Sequence, residues 1–382
     1  MPYLDSAIHL WFPNIFEFKG GIQVYIQDLL QAINQEFPDQ NFVVFDKLDQ
    51  RQPDTSPDFD KIDFRFSGHV PYFWRTPHFA INLIQGALSN RPNLIVCGHI
   101  NFSPVAFWIY RFTGIPYWIL VYGVDAWNVT DKWKIQGLQG AEKIVSISEY
   151  TRDRLIEEQS VPPDKITILP VTFDASRFEI GQKPNYLLER YGLKPEQPII
   201  LTVARLASAD RYKGYDQILQ SLPKIRQHIP TIHYILVGKG SDRPRIEQLI
   251  THLNLQDCVT LTGFIPDDEL GDYYNLCDVF AMPSKGEGFG IVYLEALACG
   301  KPTLGGNRDG AVDALSYGEL GALVDPDNID QIATTLIEIL QGSYSNYLIY
   351  QPQMLRQKVI ERFGFERFKQ TLNNYLHQHL DD

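Results

Sequence analysis

Two doubly wound α/β domains are predicted for this chain of 382 residues by three observations. Short apolar runs recur in both halves, segments with helical spacing separate them, and a polar stretch near the middle divides the two series. Strand-like runs alternating with helices imply parallel sheets covered on both faces. The length suits two or three domains with sizeable cores.

The first series has apolar runs at Ala7–Phe12, Phe42–Phe45, Leu94–Cys97, Tyr117–Tyr122, Lys143–Ile147 and Ile166–Leu169. Between the first two, Gly21–Phe37 puts Ile22, Ile26, Leu29, Leu30 and Ile33 on one helical face. Residues 171–198 break the pattern, polar around Asp174–Pro184 and then briefly helical, and read as an inter-domain linker. The second series runs Ile199–Ala204, Ile232–Val237, Val259–Leu261, Val279–Met282, Pro302–Leu304 and Gly321–Val324, with helices at Tyr215–Ile229, Arg243–Leu253 and Ile291–Ala298. Tyr344–Leu380 reads as two further helices. The expected division is 1–175, 176–360 and a final helix over 361–382 that crosses back to the first domain. Ligands of such sheets bind beyond the carboxyl ends of the strands, here in a cleft between domains.

Composition is that of a soluble globular protein, 44 % hydrophobic and 21 % charged. A net charge of −12 argues against a nucleic-acid partner, whose phosphates demand clustered cations. Cys97, Cys258, Cys277 and Cys299 form no C-x-x-C pair and sit in apolar stretches, as buried reduced thiols do. MPYLDSAIHLWFP lacks the basic and apolar regions of a signal peptide, and Ile115–Val124 is too short to span a bilayer. A cytoplasmic protein, with peripheral contact at the inner membrane face, is expected.

The segment Ser284–Thr303, SKGEGFGIVYLEALACGKPT, carries the most chemistry. A strand precedes it, and Gly288, Phe289 and Gly290 open a helix through Ile291, Val292 and Leu294. Glycines at a helix start allow close backbone approach, and the unsatisfied N–H groups there favour an anion. Glu287 before the helix and Glu295 within it can accept hydrogen bonds from sugar or ribose hydroxyls. A surface-loop Glu and a solvated helical Glu would fit the same spacing.

Arg205 and Lys213, in TVARLASADRYKGYDQIL, follow another strand, where two cations can neutralise a diphosphate. Gly20-Gly21 opens the first helix without the full G-x-G-x-x-G fingerprint, so it reads as either a ligand approach or a tight turn. Gly238-Lys239-Gly240 is a similar signal. The triplets Asp58-Phe-Asp60 and Asp325-Pro-Asp327 match the metal-binding D-x-D pattern, although the first lies in a polar loop and the second precedes a helix that an Asp could cap.

Together these segments resemble the retaining glycosyltransferases of family 4, with the GT-B fold of two Rossmann-like domains facing across a cleft. EGFGIVYLEALACGKPT is similar to the family signature, and TVARLASADRYKGYDQIL to its R-x-x-x-K-G segment with three extra residues before Lys213. LTGFIPDDELGDYYNLCDVFAMPS and GGNRDGAVDAL also match. The resemblance implies that Arg205 and Lys213 bind the donor diphosphate, that Glu287 meets the donor sugar, and that Glu295 binds the ribose. It implies backbone contacts from Gly288 to Val292, a nucleobase read by Gly263, Phe264 and Ile265, and Gly20 and Gly21 facing phosphates or acceptor. Where family members often carry H-G-x-D/E, this chain has Tyr122-Gly-Val-Asp125. His99 and Asp125 are therefore candidates to orient or deprotonate the acceptor, though His99 would also fit as a satisfied loop histidine.

The expected activity is metal-independent, cofactor-free transfer of a hexose, first glucose from UDP-glucose, to a saccharide or lipid-linked saccharide in polysaccharide or glycolipid biosynthesis. A nucleotide-sugar epimerase and a non-catalytic sugar-nucleotide-binding protein are the alternatives. The aromatic clusters Tyr72-Phe73-Trp74 and Phe107–Phe112 suit a membrane surface but read more simply as core packing.

Overall fold

Strands form where the apolar runs lie. The computed structural model describes residues 7–17, 20–53, 59 and 62–381, so Asp58 and Asp60 of the first triplet fall outside the described residues. It divides into two units, Met1–Thr172 with Glu366–Asp382, and Phe173–Phe365.

The first unit has strands β1 (Ile8–Phe12), β2 (Phe42–Asp46), β3 (Ile62–Phe66), β4 (Leu94–Cys97), β5 (Tyr117–Val121), β6 (Lys143–Ser146) and β7 (Ile166–Ile168). Its helices are α1 (Gly21–Glu36), α2 (Tyr72–Asn90), α3 (Ser103–Thr113), α4 (Lys132–Gly140) and α5 (Glu149–Gln159). The sheet is parallel, in the order β3-β2-β1-β4-β5-β6-β7, with Ile8 opposite both Phe42 and Leu94. β1, β2, β4 and β5 are buried throughout because helices cover both faces. β3 escaped the sequence reading: at the sheet edge it buries only alternate residues and shows no apolar run. α1 turns Ile26, Leu30 and Ile33 inward, each contributing about 1.5–3 kcal/mol by burial.

The second unit has β8 (Ile199–Val203), β9 (His233–Val237), β10 (Val259–Gly263), β11 (Val279–Met282), β12 (Thr303–Gly306) and β13 (Ala322–Val324). Around them lie α6 (Asn185–Tyr191), α7 (Tyr215–His228), α8 (Arg243–His252), α9 (Leu270–Leu276), α10 (Ile291–Ala298), α11 (Ala311–Ala314), α12 (Ile329–Leu340) and α13 (Pro352–Phe363). The parallel order is β10-β9-β8-β11-β12-β13. The stretch read as a linker is largely part of this unit. Lys183 bridges the Gln197 carbonyl at 2.8 Å and Asp278 at 2.7 Å, and Asn275 holds the backbone of Glu179 and Gly181, each at 2.9 Å.

The last helix, α14 (Phe365–Asp381), counts with the first unit from Glu366. Phe368 meets Tyr25 edge-on at 5.6 Å, and Tyr375 donates to the Ile168 carbonyl at 2.9 Å. Leu372 and Leu376 are buried against the sheet and α1. All four cysteines are buried and unpaired.

Candidate functional site

In the second sheet the strand order reverses between β8 and β11, which makes the loops after these strands the natural ligand site. The structure brings Arg205, Lys213 and Glu287 to those two loops. Lys213 Nζ donates to Glu287 Oε1, and both side chains are mostly buried. Burial opposes the charge on Lys213, but the Glu287 carboxylate more than offsets it, so its pKa is raised and it stays a cation. Arg205 donates from Nε to Asp210 Oδ2, and from Nη2 to Oδ1 at 3.0 Å, while its side chain remains 60 % exposed. The bidentate pair raises the Arg205 pKa and fixes the guanidinium plane, leaving other N–H groups toward solvent. Asp210 lies in the 3-10 turn Ser208–Lys213, the stretch lengthened by the extra residues.

The two loops press together. A Cβ at Gly214, whose φ is 83°, would stand 2.3 Å from the Pro283 carbonyl, so only glycine fits there. The loop after β11 is pinned by Asp309, a residue the sequence reading passed over. Its buried carboxylate accepts from Ser284 Oγ at 2.7 Å and from the Gly286 and Glu287 N–H groups, each at 2.8 Å. Burial lifts its pKa to about 6 despite these donors. GGNRDGAVDAL held the signal, but a carboxylate that binds backbone 22 residues away is invisible to spacing.

Gly290 caps α10 in the left-handed region at φ 93°, where a Cβ would strike the Tyr293 ring at 2.6 Å. Ile291 and Val292 form the first turn, whose N–H groups have no partner within the helix. Gly288 and Phe289 are buried beside them, the Phe289 ring edge-on to Phe363 at 5.4 Å. Glu295 is buried rather than solvated, and Tyr274 OH donates to its Oε2 at 2.6 Å. Burial raises its pKa to about 7, against the Tyr274 hydrogen bond and the nearby Arg177.

Gly263 ends β10 at φ 78°, and its carbonyl accepts from Gly238 N–H at 2.9 Å. Phe264 next to it is exposed, with Lys239 Nζ 4.9 Å from its ring centre, and Ile265 is half-buried. Gly238 and Gly240 are packing glycines, since Cβ atoms there would lie 1.8 and 2.0 Å from the Ala204 and Leu206 carbonyls. Asp325 and Asp327 are held by cations. Arg308 bonds them at 2.6 and 2.9 Å, and Lys285 reaches Asp327 at 2.6 Å. The cap of α12 is Asn328, not an aspartate.

A family model described as "Glycosyl transferases group 1" matches residues 187–357, over this whole constellation. A second, "Glycosyltransferase Family 4", matches residues 19–177. The chain belongs to the family 4 glycosyltransferases. A mannosyltransferase of Mycolicibacterium smegmatis, named GDP-mannose-dependent alpha-(1-6)-phosphatidylinositol monomannoside mannosyltransferase, is 32 % identical over 208 residues, or 52 % of this chain and 53 % of that protein. The chain thus spans about half the length of the curated relatives it matches. Sucrose-phosphate synthase of Thermosynechococcus elongatus shares the fold at a TM-score of 0.79 and 21 % identity, with 98 % of each chain covered. HepE of Anabaena, crystallised with UDP and glucose, does so at 0.75 and 17 %, covering 98 % of this chain and all of its own. The fold is GT-B.

In this family 4 chain the first sheet reverses between β1 and β4. The loop after β1 is again pinned by a buried carboxylate. Asp49 accepts from Ile15 and Phe16 N–H, both at 2.7 Å, and from Glu17 at 3.2 Å. Asp46 in turn holds the Asp49 N–H at 2.8 Å, and burial with its neighbour Asp49 pushes its pKa up to about 8. Gly20 and Gly21 start α1 in conformations open to any residue, which removes the tight-turn reading, and a Cβ on Gly21 would meet nothing.

His99, after β4, accepts the Asn101 N–H on Nδ1 at 3.1 Å. Burial, then Lys134 and Lys47, lowers its pKa to about 4. It is therefore neutral at pH 7 with its proton on Nε2, where it can donate a hydrogen bond. Asp125 is half-buried, and its Oδ2 has no hydrogen-bond partner among the described residues. Its Oδ1 accepts the Tyr122 N–H at 2.9 Å and closes the turn after β5, while burial raises its pKa to about 7. Tyr122 itself is buried, edge-on to Tyr25 at 5.5 Å, and its hydroxyl donates to the Gly98 carbonyl at 3.1 Å.

The aromatic clusters correct the core-packing expectation. Tyr72, Phe73 and Trp74 are 79, 87 and 70 % exposed, and Trp108, Tyr110 and Phe112 also face solvent.

Proposed function

We propose that the protein transfers a hexose from a nucleoside diphosphate sugar to a saccharide or lipid-linked saccharide, retaining the anomeric configuration and using no metal. The observation that carries this reading is the convergence of Arg205, Lys213 and the first turn of α10 on the β8/β11 switch point. Preorganised positive charge there stabilises the negative charge that grows on a departing diphosphate. In this reading Glu287 leaves its contact with Lys213 to accept the sugar hydroxyls, and Lys213 turns to the diphosphate. Glu295 binds the ribose, the backbone of Gly263–Ile265 reads the base, and backbone groups from Gly288 to Val292 meet sugar and phosphate. Gly20 and Gly21 leave the start of α1 open to phosphates or acceptor. His99 orients the acceptor through Nε2–H, and Asp125 shapes the loop after β5. No carboxylate is assigned as a nucleophile, so the acceptor attacks from the leaving-group face.

UDP-glucose is the proposed donor, supported by the HepE complex with UDP and glucose. GDP-mannose is the rival that the named mannosyltransferase relatives put forward. Incubation with a panel of labelled sugar nucleotides tests both. Slow hydrolysis of UDP-glucose to UDP is the expected result, continuing in EDTA. Turnover of GDP-mannose alone would replace the donor. Loss of activity in EDTA with recovery on adding Mg²⁺ would remove metal independence, and release of an altered sugar nucleotide would make the protein an epimerase.

A further inference from the structure

Between Asp63 and Asp125 the sequence contains no Asp or Glu, yet it contains Arg65, Arg75, Arg91 and Arg111, in a chain with net charge −12. This stretch supplies α2 and α3, which pack side by side in the first unit, with α4 next to α3. α2 is apolar over a broad arc, part of it buried and part exposed. Phe79, Leu83, Gly86 and Ala87 are buried. Phe73, Pro77, Ile81, Ile84 and Leu88 are exposed, and at 3.6 residues per turn they fall within an arc of about 80°. Tyr72 and Trp74 flank the N-terminal end of that stripe. On α3, Trp108 stacks on Phe112 at 5.9 Å and meets Trp133 of α4 at 6.0 Å. Arg91 at the end of α2, Arg111 in the last turn of α3 and Lys132 at the start of α4 are exposed, as is Asp131, which caps α4.

An exposed apolar stripe beside the buried face of a surface helix needs an occupant. Exposed Trp, Tyr and Phe beside arginines and lysines, with the Asp131 carboxylate at their edge, match the boundary of an anionic bilayer. There the rings enter the headgroup region and the cations meet lipid phosphates. We propose that the outer face of α2, α3 and α4 docks on an anionic phospholipid bilayer. Charge argues for this occupant over a second copy of the chain: α2 and α3 contain no Asp or Glu in an otherwise acidic protein, and Asp131 is spent on capping α4, so the face attracts an anionic surface. The docking is read without substrate, so it stands or falls separately from the transfer reaction.

The test is co-sedimentation of the full chain with vesicles of equal parts phosphatidylglycerol and phosphatidylcholine, and with phosphatidylcholine alone. Binding to the mixed vesicles is expected, at least about tenfold weaker to the neutral ones and for Phe73→Ser/Trp74→Ser, and reduced by salt and by Arg91→Glu/Arg111→Glu. Ile84→Ser/Leu88→Ser gives a second apolar variant, and circular dichroism melting certifies that each is folded. Absence of binding, equal binding to both vesicles, or folded variants that bind like the parent would overturn the proposal. So would concentration-dependent dimerisation that the same variants abolish, since the stripe would then cover itself.

Discussion

The two units use the same device at their switch points and present different chemistry with it. Asp49 gathers the N–H groups of Ile15, Phe16 and Glu17 in the first, and Asp309 gathers Ser284, Gly286 and Glu287 in the second. Each buried carboxylate holds a loop at the carboxyl edge of its sheet. The second loop is set beside Arg205 and Lys213, whose charges are kept by Asp210 and Glu287. The first lies in a unit whose sequence candidates are a histidine held neutral, an aspartate with one oxygen on its own turn, and two glycines. Fixed charge thus marks one half of the proposed reaction, and shape with neutral hydrogen bonding marks the other.

The largest expected effect breaks the first unit alone. A chain ending at Phe365 loses Phe368, Leu372 and Leu376, each worth roughly 2–5 kcal/mol when removed from a core, which approaches the whole stability of a domain. Calorimetry should then show one cooperative transition, from the second unit, and two intact transitions would refute the role given to α14. Asp309→Ala comes next, because it strands four donors, on Ser284, Gly286, Glu287 and Ala311, and should cost about 3 kcal/mol and most turnover. Asp309→Asn should recover part of both, and a Tm within a degree of the parent would mean the loop holds itself.

Lys213→Ala sharpens the electrostatic side. Turnover should fall at least about tenfold, which is about 1.4 kcal/mol at the transition state, and Tm should fall as well because Glu287 loses its buried partner. A rate near that of the parent would take Lys213 out of the site. The pH dependence of stability tests the pinning device of the first unit. Asp46 has a folded pKa of about 8, above its unfolded value, so the folded state binds the proton more tightly. Its contribution is fully present below the unfolded pKa and is lost as pH rises toward 8. His9 and His99, lowered to about 4, act in the opposite sense only below their unfolded values. Between pH 7 and 8 the Tm should therefore fall, and Asp46→Asn should flatten that slope; an unchanged slope would assign it elsewhere. The smallest effect is Tyr122→Phe. Losing the hydroxyl on the Gly98 carbonyl should cost about 1 kcal/mol, with turnover nearly unchanged. A hundredfold loss of turnover would return Tyr122 to the reacting centre.

Much of the fold was legible because buried parallel strands are apolar runs. Val279–Met282 and Ile291–Ala298 have the very bounds read from sequence, since a strand, a glycine loop and an apolar helix follow without interruption. β3 was missed because an edge strand buries only alternate residues. Arg205, Lys213 and Glu287 were legible as residue types at strand ends. Asp210 and Asp309, and the Tyr274 that holds Glu295, were not, because each acts through a contact that spacing alone does not announce.

The sequence by itself determined two parallel sheets, their order along the chain and the residues gathered at the second switch point. These follow from local periodicity and from where glycines and charges fall relative to strands. Only the tertiary structure decided that Glu287 is paired to Lys213, that Glu295 is buried, that His99 is neutral, and that the aromatics of α2 and α3 face outward. Burial and pairing are properties of neighbours brought from far along the chain. A run of aromatic residues looks the same in a sequence whether its rings close a core or face solvent.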